Sequence, residues 1–211
     1  MVALLLAGLY SAPVLASWLL AISVVWWLAA AALVVSYPRS QRHWGGRAGS
    51  LFIGLLILLP AWQGLVLLKQ WPHGNWLIVA VMVLVWGADI GAYAAGKTFG
   101  RRKLAPQVSP GKSWEGMIGG LVTSLLITFS VGLYQSWSTR ELVLALLGAA
   151  LVVVISVVGD LTESMFKRSS GIKDSSQLLP GHGGVMDRID SLTAAVPVFT
   201  VLLWLAGWGA W

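Results

Sequence analysis

Six apolar runs, each long enough to cross a lipid bilayer as a helix, occupy most of this 211-residue sequence. A spanning helix needs about 20 predominantly apolar residues, because each residue rises about 1.5 Å through a hydrocarbon core about 30 Å thick. Only 10% of the residues are charged, against roughly 25% in a typical soluble domain. The sequence therefore predicts an all-α, polytopic membrane helix bundle. The six predicted spans cover residues 14–35, 51–68, 76–95, 117–134, 142–159 and 192–208.

The apolar runs leave little sequence for a separate aqueous domain. The longest connection between two runs covers residues 160–191, so we expect residues 1–211 to form a single membrane-embedded domain. Residues 1–13 are too few to span, and Pro13 interrupts a helix, so we expect a stub there, either a remnant of a preceding helix or an interfacial segment. The absence of cysteine excludes disulfides, thiolate metal sites and cysteine nucleophiles.

Positive charges are distributed unevenly over the connections. Twelve of the fourteen lysines and arginines lie in alternate connections, at residues 36–50, 96–116 and 160–191, whereas the other two connections carry only Lys69 and Arg140. This bias marks the cytoplasmic side of a membrane protein, so we expect the three basic connections in the cytoplasm and both termini outside. Topology and anionic lipid headgroups account for the net charge of +6 without invoking nucleic acid.

The connection at residues 160–191 concentrates the acidic residues of the chain. It holds five of the eight carboxylates, beside apolar segments where charge is costly and marks function. Asp187 and Asp190 are three positions apart, so a helix that begins there would carry both on one face, and Asp160 ends the preceding span. Oxygen ligands without cysteine favour a hard cation such as Mg²⁺. We predict Asp160, Asp187 and Asp190 as its ligands.

Cations and glycines accompany these acids. Backbone amides in a glycine turn that leads into a helix bind phosphate readily, and basic side chains complete the charge balance. Acids that hold a metal ion, beside bases that hold phosphates, are typical of phosphoryl or nucleotidyl transfer. We predict catalytic roles for the three aspartates and four cations, Lys167, Arg168, Lys173 and Arg188. We predict phosphate contacts for the turn at His182, Gly183 and Gly184.

Two other segments contribute candidates. Asp89 lies inside an apolar run, where a carboxylate is either a hydrogen-bonding residue of the bundle or a functional group. We favour function and predict Asp89 as a substrate-binding residue. In the second basic connection, Ser109 and Lys112 are candidates for phosphate contacts. The Gly-Lys-Ser triplet at 111–113 is similar to the end of a P-loop, but position 106 is proline where that motif needs glycine, which excludes a Walker fold.

Residues 164–190 resemble the signature of the phosphatidate cytidylyltransferases (CDP-diacylglycerol synthases). The signature combines a Lys-Arg pair, a Lys-Asp pair, a His-Gly-Gly turn and a final Asp-Arg-apolar-Asp at fixed spacing. The segments 86–93, 103–106, 109–116 and 159–164 also resemble the family. The matching signature positions are Ser164, Lys167, Arg168, Lys173, Asp174, Ser176, Leu179, Pro180, His182, Gly183, Gly184, Asp187, Arg188 and Asp190.

The resemblance implies that CTP and phosphatidic acid react to give CDP-diacylglycerol and pyrophosphate. It implies a requirement for Mg²⁺, leaving a second cation open, and a homodimer in the bacterial inner membrane with its active site facing the cytoplasm. It adds Ser164 and Asp174 to the residues expected to contact substrate. Family members usually extend further at the N-terminus with additional spanning helices, and a remnant of one of these is one of the two alternatives for the stub at residues 1–13.

Three other functions are weighed against this enzyme. A transporter of an anionic solute would carry ionisable residues near the bilayer midplane and show internal repeats, whereas here the charges concentrate in connections on one side and no repeat is visible. A non-catalytic scaffold for anionic lipids would leave Asp160, Asp187 and Asp190 unexplained. A related membrane lipid kinase uses the same metal chemistry and is the remaining alternative.

Overall fold

The computed structural model describes residues 13–44, 46–178, 180–181 and 183–208. Six of its helices are long and apolar enough to cross a membrane, which confirms the predicted all-α polytopic bundle. The predicted stub lies outside the described residues except for Pro13, and the single-domain assignment stays a prediction. In chain order the elements are α1 (Pro13–Val35), α2 (Gln41–Trp44), α3 (Arg47–Gln70), α4 (Gly74–Phe99), β1 (Lys103–Ala105), β2 (Ser109–Ser113), α5 (Trp114–Tyr134), α6 (Thr139–Ser169) and α7 (Met186–Leu205).

The three basic connections meet at one end of the bundle. In the first connection, the Trp44 ring packs edge-on against Phe166 near the end of α6, with 4.7 Å between ring centroids. In the second connection, the Val108 carbonyl accepts a hydrogen bond from Arg168 Nε at 3.4 Å. Arg140 lies at the start of α6 and therefore at the opposite end. We call the end that holds these three connections the basic end.

Helices α6 and α7 continue past the predicted boundaries of their spans. α6 runs to Ser169 and α7 begins at Met186, so residues 160–168, expected in a loop, are helical. Lys167 Nζ lies 2.5 Å from Glu163 Oε2, one turn earlier on α6. Such pairing offsets the charges that would otherwise end a span. The apolar criterion placed the end of α6 too early and the start of α7 too late, because it counted each charged residue without its partner.

The second basic connection contains a β-hairpin that the apolar pattern does not predict. β1 and β2 pair antiparallel, with Lys103 opposite Ser113. Ser113 also caps α5, because its Oγ accepts a hydrogen bond from the Gly116 amide at 3.1 Å. Lys112 directly precedes this cap, so the hairpin and the start of α5 together hold its backbone in place.

Helices α4 and α5 share the most extensive contact in the bundle. A Cβ added to Gly91 of α4 would lie 2.8 Å from the Gly119 carbonyl, and one added to Gly119 would lie 2.9 Å from the Gly91 carbonyl. Ser124 Oγ donates to the Leu84 carbonyl across the pair at 3.0 Å. Small residues let the two backbones approach closely, and this approach brings Asp89 of α4 next to the start of α5.

Replacing Gly91 with alanine is expected to lower the free energy of unfolding by about 1–3 kcal/mol, because the new Cβ would overlap Thr123 and the Gly119 carbonyl. Gly54→Ala is the matched control, since nothing lies within 4 Å of a Cβ at that position. Alanine's higher helix propensity should leave this control unchanged or more stable by up to about 1 kcal/mol. Thermal unfolding in one detergent compares the variants, and equal melting temperatures would contradict the close packing.

Candidate active site

Three carboxylates lie within electrostatic range of the Lys112 side chain at the basic end. β2 carries Lys112, whose Nζ forms an ion pair with Asp160 Oδ2 on α6. Asp89 on α4 lies within electrostatic range of both groups, and so does Asp190 on α7. Four elements that are distant in sequence thus contribute one charged group each. We call Asp89, Lys112, Asp160 and Asp190 the Lys112 cluster.

The Lys112 cluster is accessible to a ligand. The side chains of Lys112 and Asp160 expose 27% and 24% of their surface. Asp89 and Lys112 line a cavity of about 230 Å³ between α4, the hairpin, α5 and α6. A ligand that enters this cavity therefore meets a carboxylate and an ammonium group together.

Asp160 and Asp190 retain hydrogen-bonding capacity. Asp160 Oδ1 accepts from Ser164 Oγ at 3.2 Å and its Oδ2 meets Lys112, while Asp190 Oδ1 accepts from the Ser191 amide at 2.7 Å. An ionised carboxylate offers about four acceptor positions, so neither group is saturated within the described part of the chain. Mg²⁺ is usually held by one or two carboxylates with waters and substrate phosphates. These two carboxylates fit that requirement.

Asp187 has a different environment. Lys167 Nζ lies 2.6 Å from Asp187 Oδ1 and also pairs with Glu163. Asp187 Oδ2 accepts from the Ser175 amide at 2.9 Å and the Gly184 amide at 2.7 Å. Only 7% of the Asp187 side chain is exposed. Glu163, Lys167 and Asp187, which we call the Lys167 clasp, tie the segment between α6 and α7 to both helices.

The three predicted metal ligands therefore fall into two groups. Among the residues that the structure describes, no three Asp, Glu, His or Cys side chains are gathered closely enough to hold a metal ion. Asp187 belongs to the clasp, whereas Asp160 belongs to the Lys112 cluster. Asp190 is within electrostatic range of Asp160 and Lys112 and also of Glu163 in the clasp. The metal assignment itself stays a prediction. The geometry favours Asp160 and Asp190, because a cation at Asp187 would have to displace an ammonium and several hydrogen-bond donors.

The predicted glycine turn wraps around a carboxylate of the protein itself. Gly183 adopts a φ of +79°, and a Cβ there would lie 2.7 Å from Asp187 Oδ2, so this position requires glycine. The neighbouring Gly184 amide donates to the same oxygen. His182 lies outside the described residues. Phosphate binding by this turn stays a prediction, and the Gly184 amide is already used within the protein.

The other predicted residues are spread over the basic end. Arg168 supports the backbone, since its Nε donates to Val108 and its Nη1 donates to the Ile172 carbonyl at 3.3 Å. Ser109 begins β2 and is half-buried. Substrate contact by these side chains stays a prediction. Three further predicted residues are exposed, namely Lys173, Asp174 and Arg188.

Two residues of the clasp region were not among the predicted site residues. Glu163 lies on α6, four residues before Lys167. This spacing is typical of an ion pair on a helix, and it could have identified Glu163 from the sequence. Ser175 offers no local signal, because its amide and hydroxyl meet Asp187 from twelve residues away. Only the folded chain reveals this contact.

Comparison with known proteins agrees with the resemblance in sequence. Residues 1–206 match the family model described as the cytidylyltransferase family. The phosphatidate cytidylyltransferase of Pseudomonas aeruginosa is 71% identical over 209 residues, which cover 99% of this chain and 77% of that protein. That of Haemophilus influenzae is 50% identical over 189 residues, covering 84% and 65%. That of Synechocystis sp. is 44% identical over 138 residues, covering 64% and 46%. The chain thus spans from about half to about three quarters of these relatives' lengths.

Asp187→Asn is expected to loosen the segment at residues 171–185, because the amide keeps the shape of the side chain but removes the charge that pairs with Lys167. Breaking a buried ion pair costs about 3–5 kcal/mol. Hydrogen exchange of peptides from this segment should accelerate. The matched control is Asp174→Asn, an exposed carboxylate in the same segment, which should exchange like the unmodified protein. Unchanged protection in Asp187→Asn would show that the clasp does not hold the segment.

Proposed function

The chain belongs to the cytidylyltransferase family, and we propose that it transfers a cytidylyl group from CTP to phosphatidic acid, giving CDP-diacylglycerol and pyrophosphate. The observation that carries the proposal is the Lys112 cluster. It combines carboxylates suited to a hard cation with an ammonium suited to phosphate. Lys112 and Asp89 of this cluster also line a cavity at the basic end of the bundle. The names of the relatives, phosphatidate cytidylyltransferases, support the choice of both substrates.

The proposed reaction places most of its demands on positioning and charge. An oxygen of the lipid phosphate attacks the α-phosphorus of CTP, a new P–O bond forms, and the bond to the β-phosphate breaks as pyrophosphate leaves. A phosphate monoester is already anionic near neutral pH, so no strong general base is required. Positioning and preorganised charge then dominate, as in phosphoryl transfer generally.

Asp160 and Asp190 would hold the divalent cation. Mg²⁺ bound there would neutralise negative charge on the phosphate oxygens. The two carboxylates come from α6 and α7 at the basic end, and the Ser164 hydroxyl orients Asp160. Asp187, engaged by Lys167, would act on the site by holding the start of α7 and with it Asp190.

Lys112 is the residue best placed to meet a substrate phosphate. An ammonium is a compact charge with three donor hydrogens, so Lys112 can remain in contact with Asp160 while it donates to a phosphate oxygen. Asp89 faces the same ammonium from α4 and would help to orient it. The hairpin thus brings a cation to the carboxylates of α6 and α7.

The chain is a multi-pass membrane protein, and its placement is part of the proposal. We place the basic end in the cytoplasm because positively charged connections stay on that side. The relatives are bacterial proteins, which supports the inner membrane as its location. The homodimer rests on the sequence resemblance alone.

The proposal predicts that purified protein of this length moves label from α-labelled CTP into chloroform-soluble lipid. Incorporation should require phosphatidic acid and Mg²⁺ and should stop with excess EDTA. CTP labelled at the γ-phosphate is the control, because its label should leave with pyrophosphate. Transfer of γ-label to the lipid would indicate a lipid kinase, and lack of any incorporation would contradict the enzyme.

Asp160→Asn and Asp190→Asn should each lower kcat/KM by about a hundredfold or more, because preorganised charge at the reacting phosphates is lost. Both variants should also need more Mg²⁺ for half-maximal rate. Arg140→Ala is the control, since Arg140 lies at the end of the bundle opposite the Lys112 cluster, and its rate should stay within about twofold. A strong effect of Arg140→Ala, or wild-type activity in either Asn variant, would contradict the location of the site.

A further inference from the structure

A second, apolar cavity lies beside the Lys112 cluster at the basic end. It has a volume of about 280 Å³ and is enclosed by α1, the hairpin turn, α5 and α6. Its wall includes Ala31 and Val34 of α1 and Val154 and Val158 of α6. The proposed chemistry at the Lys112 cluster makes no use of this cavity. Its lining fits a hydrocarbon rather than a nucleotide.

The apolar cavity adjoins the polar cavity. Leu104, Met117 and Val157 line both of them, so the two spaces share a wall. Each alone is smaller than the roughly 300 Å³ of a typical ligand site. A ligand with a phosphate at Lys112 and an apolar chain that passes this shared wall would occupy both.

Part of the wall of the apolar cavity lies at the surface of the bundle. Val35 and Trp114 line it, and their side chains are 87% and 50% exposed on the outside of the bundle. Val35 ends one span and Trp114 begins another, so both lie at the membrane boundary, where tryptophan is enriched. A lipid chain can therefore reach the cavity sideways from the hydrocarbon.

We propose that the apolar cavity holds part of one acyl chain of the lipid whose phosphate meets Lys112. This assignment rests on the proposed function, and it follows from the wall that the two cavities share and from the opposite charges of Lys112 and a phosphate. Lipid tails are as apolar as the cavity wall, so burial there adds little driving force. The cavity acts through its shape, by fixing the position of the glycerol phosphate and selecting among chain lengths.

Ala31→Phe tests the assignment by filling the cavity from α1. It should lower kcat/KM for dioleoyl phosphatidic acid about tenfold relative to the dihexanoyl lipid, with an unchanged KM for CTP. Ala32→Phe is the matched control, because Ala32 is exposed and does not line the cavity, and it should keep the wild-type ratio. A wild-type ratio in folded Ala31→Phe would overturn the assignment.

A second experiment uses the unmodified protein and does not depend on turnover. Phosphatidic acid with a diazirine in one acyl chain should cross-link to peptides that contain Met117, Val154 or Val158, and excess unlabelled phosphatidic acid should compete. Equal labelling by a diazirine-bearing diacylglycerol would show that bulk lipid fills the cavity and would overturn the assignment.

The two experiments separate the cavity from the reaction. Incorporation of CTP label without cross-links at these peptides would overturn the acyl-chain assignment alone. Cross-links that require the lipid phosphate, without incorporation of CTP label, would overturn the proposed function and support the cavity as a site for an anionic lipid.

Discussion

Charge at the edge of a bilayer is the constraint on which the basic end depends. α6 carries Asp160 and Glu163 directly after an apolar run, where an unpaired carboxylate would face a large desolvation penalty. Each acid has a lysine partner: Lys112 arrives from the hairpin, and Lys167 comes from the next turn of α6. The ion pair between Lys112 and Asp160 therefore also holds the hairpin against α6. Lys167, which pairs with both Glu163 and Asp187, holds the start of α7 against α6.

The two pairs differ in exposure, and this difference separates structure from chemistry. The Lys167 clasp is nearly closed to solvent, with Asp187 held by an ammonium, a hydroxyl and backbone amides. A ligand would have to replace all of these donors at once. Asp160 is about a quarter exposed and has one ammonium partner, so a cation or a phosphate can approach it at modest cost. The less exposed group thus supports the more accessible one.

The sequence predicts the parts of this arrangement that depend on local pattern. Bilayer thickness relates each apolar run to a span, and the alternation of charge places the basic connections at one end. Hydropathy could not predict that α6 continues to Ser169, because the pairs that permit it are side-chain contacts. The hairpin strands are too short to show periodicity. The separation of Asp187 from Asp160 and Asp190 depends on contacts between distant segments, which spacing along the chain does not encode.

The hairpin is the element at which the aqueous and lipid sides of the molecule meet. Leu104 on β1 lines both cavities, whereas Lys112 on β2 lines only the polar one. A transfer between a nucleotide and a lipid must bring together a reactant from water and one from hydrocarbon within the length of a forming bond. Helices alone would present either an apolar face to lipid or a polar end to water. A short paired ribbon, pinned to α6 by Lys112 and to α5 by the Ser113 cap, places an apolar and a charged side chain within a few residues of each other. The hairpin therefore contributes to the walls of both the polar and the apolar cavity at the basic end.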